Sequence, residues 1–140
     1  NTRAILITNP GNPTGVVLDE TEMRMIADIA KEHNLFLICD EVYREFCYDD
    51  KFGVPTMARF RDIDENLVIV DSVSKRFSAC GARVGCVVTR NQELQAALLK
   101  SASVGCPWLL LTRWARRSCT RWIPPSSGPA RPSTGFAGTR

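Results

Sequence analysis

The 140-residue chain is 44% hydrophobic and 24% charged, which is ordinary for a soluble globular protein and allows one domain with a hydrophobic core. It has no apolar stretch near the roughly 20 residues of a membrane helix and no N-terminal signal pattern, so we expect a soluble protein. Its six cysteines form no C-x-x-C pair, which favours the reducing cytoplasm. The formal net charge of +3 is unevenly distributed, because residues 1–104 hold 12 basic and 15 acidic residues, whereas 105–140 hold six arginines and no acidic residue.

The first predicted elements are a strand, a rigid loop and a helix. Ala4 to Thr8 (AILIT) is an apolar run that indicates a buried strand. It leads into NPGNPTG at 9–15, where the prolines keep the preceding asparagines extended and the glycines permit tight turns. Asp19, followed three residues later by Glu22, predicts a helix start, and apolar residues recur at helical spacing up to His33, which we expect to cap the helix.

Three further apolar runs predict strands, and polar residues follow the first two runs. The runs are Leu35–Cys39 before Asp40, Leu67–Val70 before Asp71, and Val84–Thr89. Residues 91–103 then predict another helix. Strands that are apolar throughout and alternate with helices indicate an α/β fold with a mostly parallel sheet covered on both faces. Because ligands of such sheets bind beyond the carboxyl ends of strands, we expect NPGNPTG, DEVY and DSVSK to converge.

The end of the chain differs in composition from the rest. Residues 105–140 contain all three tryptophans and five of the eight prolines, and they contain no lysine. Lacking an apolar period, they predict an irregular tail after a domain of residues 1–104. Loss of acids and lysine together with gain of arginine, tryptophan and proline is what out-of-frame translation of a GC-rich gene would give. We therefore hypothesise a frameshifted or truncated product. Resequencing of the gene would refute this hypothesis if it showed an intact reading frame that encodes residues 105–140.

Four motifs in sequence resemble one family. They are N-P-x-N-P-T-G at 9–15, D-E-V-Y at 40–43, S-x-S-K at 72–75 and G-x-R-x-G at 81–85. Their order and spacing are similar to those of class I/II, fold-type I aminotransferases that use pyridoxal 5'-phosphate, most of all bacterial aspartate aminotransferases. The resemblance covers roughly residues 1–104 and implies part of the large, mostly parallel-sheet domain. It also implies a homodimer in the intact family.

The resemblance implies roles for the residues of the S-x-S-K and G-x-R-x-G motifs. Lys75 resembles the lysine that holds the cofactor aldehyde as a Schiff base and then moves the proton at the substrate Cα. A lysine is nucleophilic when its amine is deprotonated, which partial burial and the nearby charge of Arg83 would favour. Arg83 and Ser72 resemble ligands of the cofactor phosphate, and Ser74 belongs to the same cofactor-binding set.

The resemblance also implies roles for the two earlier motifs. Asp40 resembles the carboxylate that pairs with the pyridine nitrogen, an interaction of roughly 4 kcal/mol for unit charges near 4 Å at an effective dielectric of 20. Tyr43 and Asn12 resemble the hydrogen-bond partners of the phenolic oxygen, and Asn12 also resembles a contact of the substrate α-carboxylate. Lys75 and Asp40 should therefore face opposite ends of one ring.

Each residue alone also has an ordinary structural interpretation. Asp40 alone would cap the following helix, Lys75 alone would be a solvated surface lysine, and Arg83 alone would be an ion-pair partner. Ser72 and Ser74 would be turn residues, and Tyr43 a core aromatic with a hydrated hydroxyl group. No Walker loop or G-x-G-x-x-G motif is present, and with a single histidine, a zinc site is not expected.

Three functions remain open at this stage. The first is transamination between an amino acid, aspartate by resemblance, and 2-oxoglutarate. The second is a C–S β-lyase of the same fold, whose products would be ammonia and pyruvate instead of an oxo acid and a new amino acid. The third is a non-catalytic truncated product with a basic tail that binds anionic polymers nonspecifically. No specific nucleic-acid partner and no membrane partner is expected.

Overall fold

Five strands lie side by side in chain order in the computed structural model, which describes residues 1–48, 55–105 and 109–113. The strands are β1 (Ala4–Thr8), β2 (Phe36–Asp40), β3 (Leu67–Ser72), β4 (Gly85–Thr89) and β5 (Leu109–Arg113). The α-helices of the described residues are α1 (Glu20–Glu32), α2 (Val73–Arg76) and α3 (Gln92–Gly105). A short 3-10 turn, Arg44–Phe46, follows β2.

The sheet is mostly parallel, as predicted. β1, β2 and β3 run in the same direction, β4 runs antiparallel to β3, and β5 is parallel to β4. In register, Thr8 pairs with Asp40, and Asp40 pairs with Val70. The carboxyl ends of β1, β2 and β3 therefore lie at one edge of the sheet, where the three polar motifs begin.

Helix α1 begins where its sequence signals predict. The carboxylate of Asp19 accepts from the backbone N–H of Glu22 at 2.8 Å, and the Glu22 carboxylate accepts from the Asp19 N–H at 2.9 Å, which completes a capping box. His33 is the C-cap residue, as expected. The buried face of the helix, formed by Met23, Ala27 and Ala30, packs on the sheet.

The core lies between α1 and one face of β2 and β3. Its largest fully buried apolar side chains are Met23, Leu37, Met57 and Ile63. Cys39 lies among them, and burial raises the pKa of its thiol well above the ordinary value, so it acts as a small hydrophobic side chain.

The expectation of a sheet covered on both faces is wrong at β1 and β2. Leu6 is 70% exposed and Phe36 is 39% exposed, although both belong to apolar runs. The reason is that side chains alternate along a strand, and α1 packs with Ile5, Ile7 and Leu37 on the opposite face. Ile5 and Ile7 pack against the core, whereas Leu6 points away from it. An apolar run predicts a strand, but it does not show whether another part of the chain covers both faces of that strand.

The end of the described chain departs from the predicted irregular tail. Residues Leu109–Arg113 form β5, which pairs in parallel with β4 from Gly85 to Thr89. The boundary at residue 104 stays a prediction, as does the irregular structure of 114–140, which lies outside the described residues. Within the described part, no helix is long and apolar enough to span a membrane.

Candidate active site

The loop after β1 is closed by its own backbone and by a buried asparagine. The Asn9 side-chain oxygen accepts from the N–H of Leu18 at 2.9 Å, and the Asn9 N–H donates to the carbonyl of Asp40 at 3.0 Å. Gly11 and Gly15 are joined by an N–H to carbonyl bond of 2.8 Å, and the positive φ of Gly15, 71°, favours glycine there. These contacts hold the loop at the edge of the sheet.

Side chains of all three motifs meet at this edge. The Asn12 amide donates to the Tyr43 hydroxyl oxygen at 3.0 Å. The Lys75 Nζ lies 5.7 Å from the centroid of the Tyr43 ring. Since these residues are separated by about 30 positions each in the chain, the contacts come from the parallel order of β1, β2 and β3. The predicted convergence of the three motifs is confirmed.

Lys75 differs from expectation in its exposure. It lies on the four-residue helix α2 and is exposed to solvent, so the partial burial that we expected is absent from the described structure. The helix α2 directly follows β3 and has no buried residue, and the Tyr43 ring lies 5.7 Å from the Lys75 Nζ. The amine is consequently accessible to a small molecule.

Asp40 lies half-buried at the end of β2. One carboxylate oxygen, Oδ1, accepts from the N–H of Val42 at 3.1 Å, which is the local contact of a turn-forming aspartate. Within the described residues, Oδ2 accepts no hydrogen bond. Asp40 pairs with Val70 in register, so side-chain alternation places Asp40 and Ser72 on the same face of the sheet.

The two serines contact each other. The hydroxyl oxygens of Ser72 and Ser74 are 2.8 Å apart, and Ser72 also caps α2 by accepting from the Ser74 N–H at 3.1 Å. The Ser72 hydroxyl is 3.1 Å from the carbonyl of Val84. The ordinary interpretation as turn residues therefore describes these contacts, while the hydroxyl groups remain at the same edge as Lys75.

Arg83 is connected to Ser72 through the backbone of the residue that follows it, Val84. The carbonyl of the next residue, Val84, accepts from the Ser72 hydroxyl and from the Val73 N–H. Arg83 itself has a left-handed backbone, with φ 53°, which costs roughly 1 kcal/mol for a non-glycine residue. Its side chain is exposed, and its guanidinium forms no ion pair within the described residues, so the structure does not bring it onto either serine.

A buried charged cluster beneath the site was missed by the sequence reasoning. Glu41, Arg44, Asp71 and Arg76 form ion pairs directly behind the predicted site residues. Burial raises the pKa of Glu41, an effect that hydrogen bonds from Met57 and Thr56 oppose. The available signal was the position of these charges directly after buried strands, where a charge requires a partner.

Comparison with protein families decides where this chain belongs. The sequence model of the family described as "Aminotransferase class I and II" matches residues 1–110. The chain belongs to this family. Its members depend on pyridoxal phosphate, and the α/β fold described above is part of the large domain of such aminotransferases.

Individual relatives show how much of an aminotransferase the chain spans. The chain is 41% identical over 95 residues to an aspartate aminotransferase of Pyrococcus horikoshii, covering 68% of this chain and 24% of that protein. The crystal structure of an aromatic aminotransferase from Pyrococcus horikoshii OT3 is similar with a TM-score of 0.58 and 41% identity, covering 63% of this chain and 23% of that one. A PLP-dependent aminotransferase from Streptococcus suis is similar with a TM-score of 0.61 and 33% identity, covering 73% and 25%.

The chain therefore spans about a quarter of the length of these relatives. Their names give different substrates, aspartate in one case and an aromatic amino acid in another. Members of the family thus share a class of reaction but differ in substrate.

Proposed function

We propose that the edge formed by Asn12, Asp40, Tyr43 and Lys75 binds pyridoxal 5'-phosphate for transamination between an amino acid and a 2-oxo acid. The observation that supports this proposal most strongly is the meeting of the Asn12 amide, the Tyr43 hydroxyl and the Lys75 amine at the carboxyl ends of parallel strands. Three chemically different groups from three motifs are within reach of one small molecule there.

The donor and acceptor set fits the ring of the cofactor. Asn12 and Tyr43 present an amide and a hydroxyl donor side by side, which suits a phenolic oxygen. Asp40 retains Oδ2 as an acceptor that no group of the described residues uses, which suits a protonated ring nitrogen. The accessible amine of Lys75 suits an aldehyde.

The phosphate would be bound on the same edge. Ser72 and Ser74 supply hydroxyl groups, which reorient from each other and from the Val84 carbonyl toward an anion. Arg83 supplies a guanidinium that forms no ion pair within the described residues and is attached next to the residue that Ser72 contacts. A bidentate guanidinium contact and two hydroxyl groups suit a dianionic phosphate.

Each residue then has a task that follows from its chemistry. The bound cofactor supplies a conjugated ring that accepts electrons from the substrate Cα. Asp40 holds the proton on the ring nitrogen. The amine of Lys75 would hold the cofactor aldehyde, and as a free amine it would carry the proton between the substrate Cα and the aldehyde carbon of the cofactor. Asn12 and Tyr43 hold the ring in orientation.

The finer proposal concerns substrates and assembly. We propose aspartate and 2-oxoglutarate as the substrate pair and a homodimer as the intact assembly. The 41% identity to an aspartate aminotransferase supports aspartate, and the equal identity to an aromatic aminotransferase makes an aromatic amino acid the alternative to assay beside it. Release of an oxo acid from aspartate supports transamination, whereas ammonia and pyruvate from a cysteine conjugate would indicate a β-lyase. Sedimentation of the protein at several concentrations measures the assembly.

The test of cofactor binding uses Lys75→Ala against Lys100→Ala, which changes another lysine on α3. With added pyridoxal phosphate, we expect an absorbance band near the visible edge for the wild type and for Lys100→Ala, and none for Lys75→Ala. Borohydride reduction followed by peptide mapping should then place the cofactor on the peptide that contains Lys75. A wild type with no band, or a band that survives in Lys75→Ala, would refute the proposal.

A further inference from the structure

One carboxylate beneath the site joins three segments of the chain. Asp71 Oδ2 accepts from Nη2 of Arg44 at 2.9 Å and from Nη2 of Arg76 at 2.7 Å, and Oδ1 accepts from the N–H of Ser72 at 2.7 Å. Arg44 lies in the turn after β2, Arg76 lies on α2, and Asp71 is the second-last residue of β3. The side chains of these three charged residues are only 11 to 17% exposed.

Two further acids complete what we call the arginine cluster: Glu41, Arg44, Glu45, Asp71 and Arg76. Glu45 Oε1 lies 3.4 Å from Nε of Arg76 and 3.7 Å from Nε of Arg44. Glu41, which is 1% exposed, lies 3.4 Å from Nη1 of Arg44. Each arginine is therefore placed between acids of two different segments, and the partners of each guanidinium have fixed directions.

The cluster adjoins the proposed cofactor residues in sequence but faces away from them. Arg44 directly follows Tyr43, and Arg76 directly follows Lys75. Asp71 precedes Ser72 on β3, so side-chain alternation places Asp71 on the opposite face of the sheet. The cluster thus lies next to the site and can position it through the backbone of the neighbouring residues, as the contact of Asp71 with the Ser72 N–H shows.

We propose that the arginine cluster is a positioning unit, which fixes the turn that carries Tyr43 at a set distance from the helix that carries Lys75. Buried ion pairs add little stability compared with apolar packing, but removal of one partner leaves the others without compensation. Their directional contacts are suited to specifying geometry. The cofactor-related part of this inference rests on the proposed function, whereas the spacing of Tyr43 and Lys75 does not.

The test compares Asp71→Asn with Asp62→Asn. Asp62 is a matched control, because it also binds two cations, Arg24 and Lys31, but it lies away from the site. Lysines are labelled by carbon-13 reductive methylation without cofactor, and the Lys75 signal is identified by its loss in Lys75→Ala. We expect the Tyr43 ring to shift the Lys75 signal in the wild type and Asp62→Asn. In Asp71→Asn the signal should move to the position of exposed lysines.

On separate unlabelled samples, pyridoxal phosphate affinity is measured for the same variants. We expect it to weaken about tenfold or more in Asp71→Asn, and to change less than about twofold in Asp62→Asn. An unchanged Lys75 signal in folded Asp71→Asn would overturn the inference. A wild type that shows the shifted signal but binds no cofactor would instead refute the proposed function alone.

A second variant decides the outcome if circular dichroism shows that Asp71→Asn does not fold. Arg76→Gln removes one guanidinium while Asp71 keeps Arg44, so less charge is left uncompensated. A folded Arg76→Gln that loses the ring shift of Lys75 supports positioning, whereas one that keeps the shift contradicts it. Arg76→Lys, which retains a cation for Asp71, should recover part of the shift.

Discussion

At the scale of single residues, Glu41 illustrates how a buried charge is maintained. It is 1% exposed, and its oxygens accept from the N–H of Met57 at 2.8 Å and from the Thr56 hydroxyl at 3.1 Å. Removing the carboxylate would leave a buried N–H and the Arg44 guanidinium short of a partner. The residue therefore links the end of β2 to the 3-10 turn that begins at Met57.

The pKa of Glu41 gives a prediction with a definite sign. Because burial raises this pKa above 4.5, the folded state binds the proton more tightly than the unfolded state. The stabilising effect is complete below 4.5 and is lost as pH rises through the raised pKa. Relative to Glu41→Gln, the wild type should gain free energy of unfolding as pH falls from 8 to 4.5, by up to about 1.4 kcal/mol per pH unit.

Denaturant unfolding at several pH values measures this difference. Glu32→Gln serves as the control, because it removes an exposed carboxylate from the last turn of α1. A constant difference between the wild type and Glu41→Gln over the same pH range would show that Glu41 does not titrate differently on folding.

At the scale of elements, α1 was predictable because its start is encoded locally. Asp19 and Glu22 exchange hydrogen bonds across a single turn, and no other part of the chain is needed for this contact. The predicted positions of β1 to β4 were likewise close to those observed, since apolar runs bounded by polar residues mark these strands. The short helix α2 was not predicted, because four residues contain too little periodicity.

The capping box of α1 leads to a prediction at this scale. Asp19→Ala should lower the free energy of unfolding by about 1 kcal/mol, because the Glu22 N–H loses its acceptor. Glu20→Ala is the matched control, since Glu20 is an acid of the same first turn that does not take part in the box. Thermal or denaturant unfolding measures both variants. Equal losses would indicate a general effect of charge instead of the cap.

At the scale of the whole molecule, the two faces of the sheet differ in what covers them. Leu37 is 0% exposed in the core beside α1, whereas Leu6, on the neighbouring strand, is 70% exposed on the other face. Leu37→Ala should cost about 2–5 kcal/mol of unfolding free energy, because a cavity remains. Leu6→Ala should change it by about 0.5 kcal/mol or less. Comparable losses in denaturant unfolding would show that Leu6 is covered in solution.

The sequence by itself determined the features that depend on residues near one another or on motif order. These are the strands β1 to β4, the cap of α1, the mostly parallel sheet and membership of the class I and II aminotransferases. Only the tertiary structure decided the exposure of Lys75 and the buried pairing of Arg44 with Asp71, which are 27 positions apart. Burial and ion pairing depend on which distant segments pack together, and local patterns carry no information about that packing.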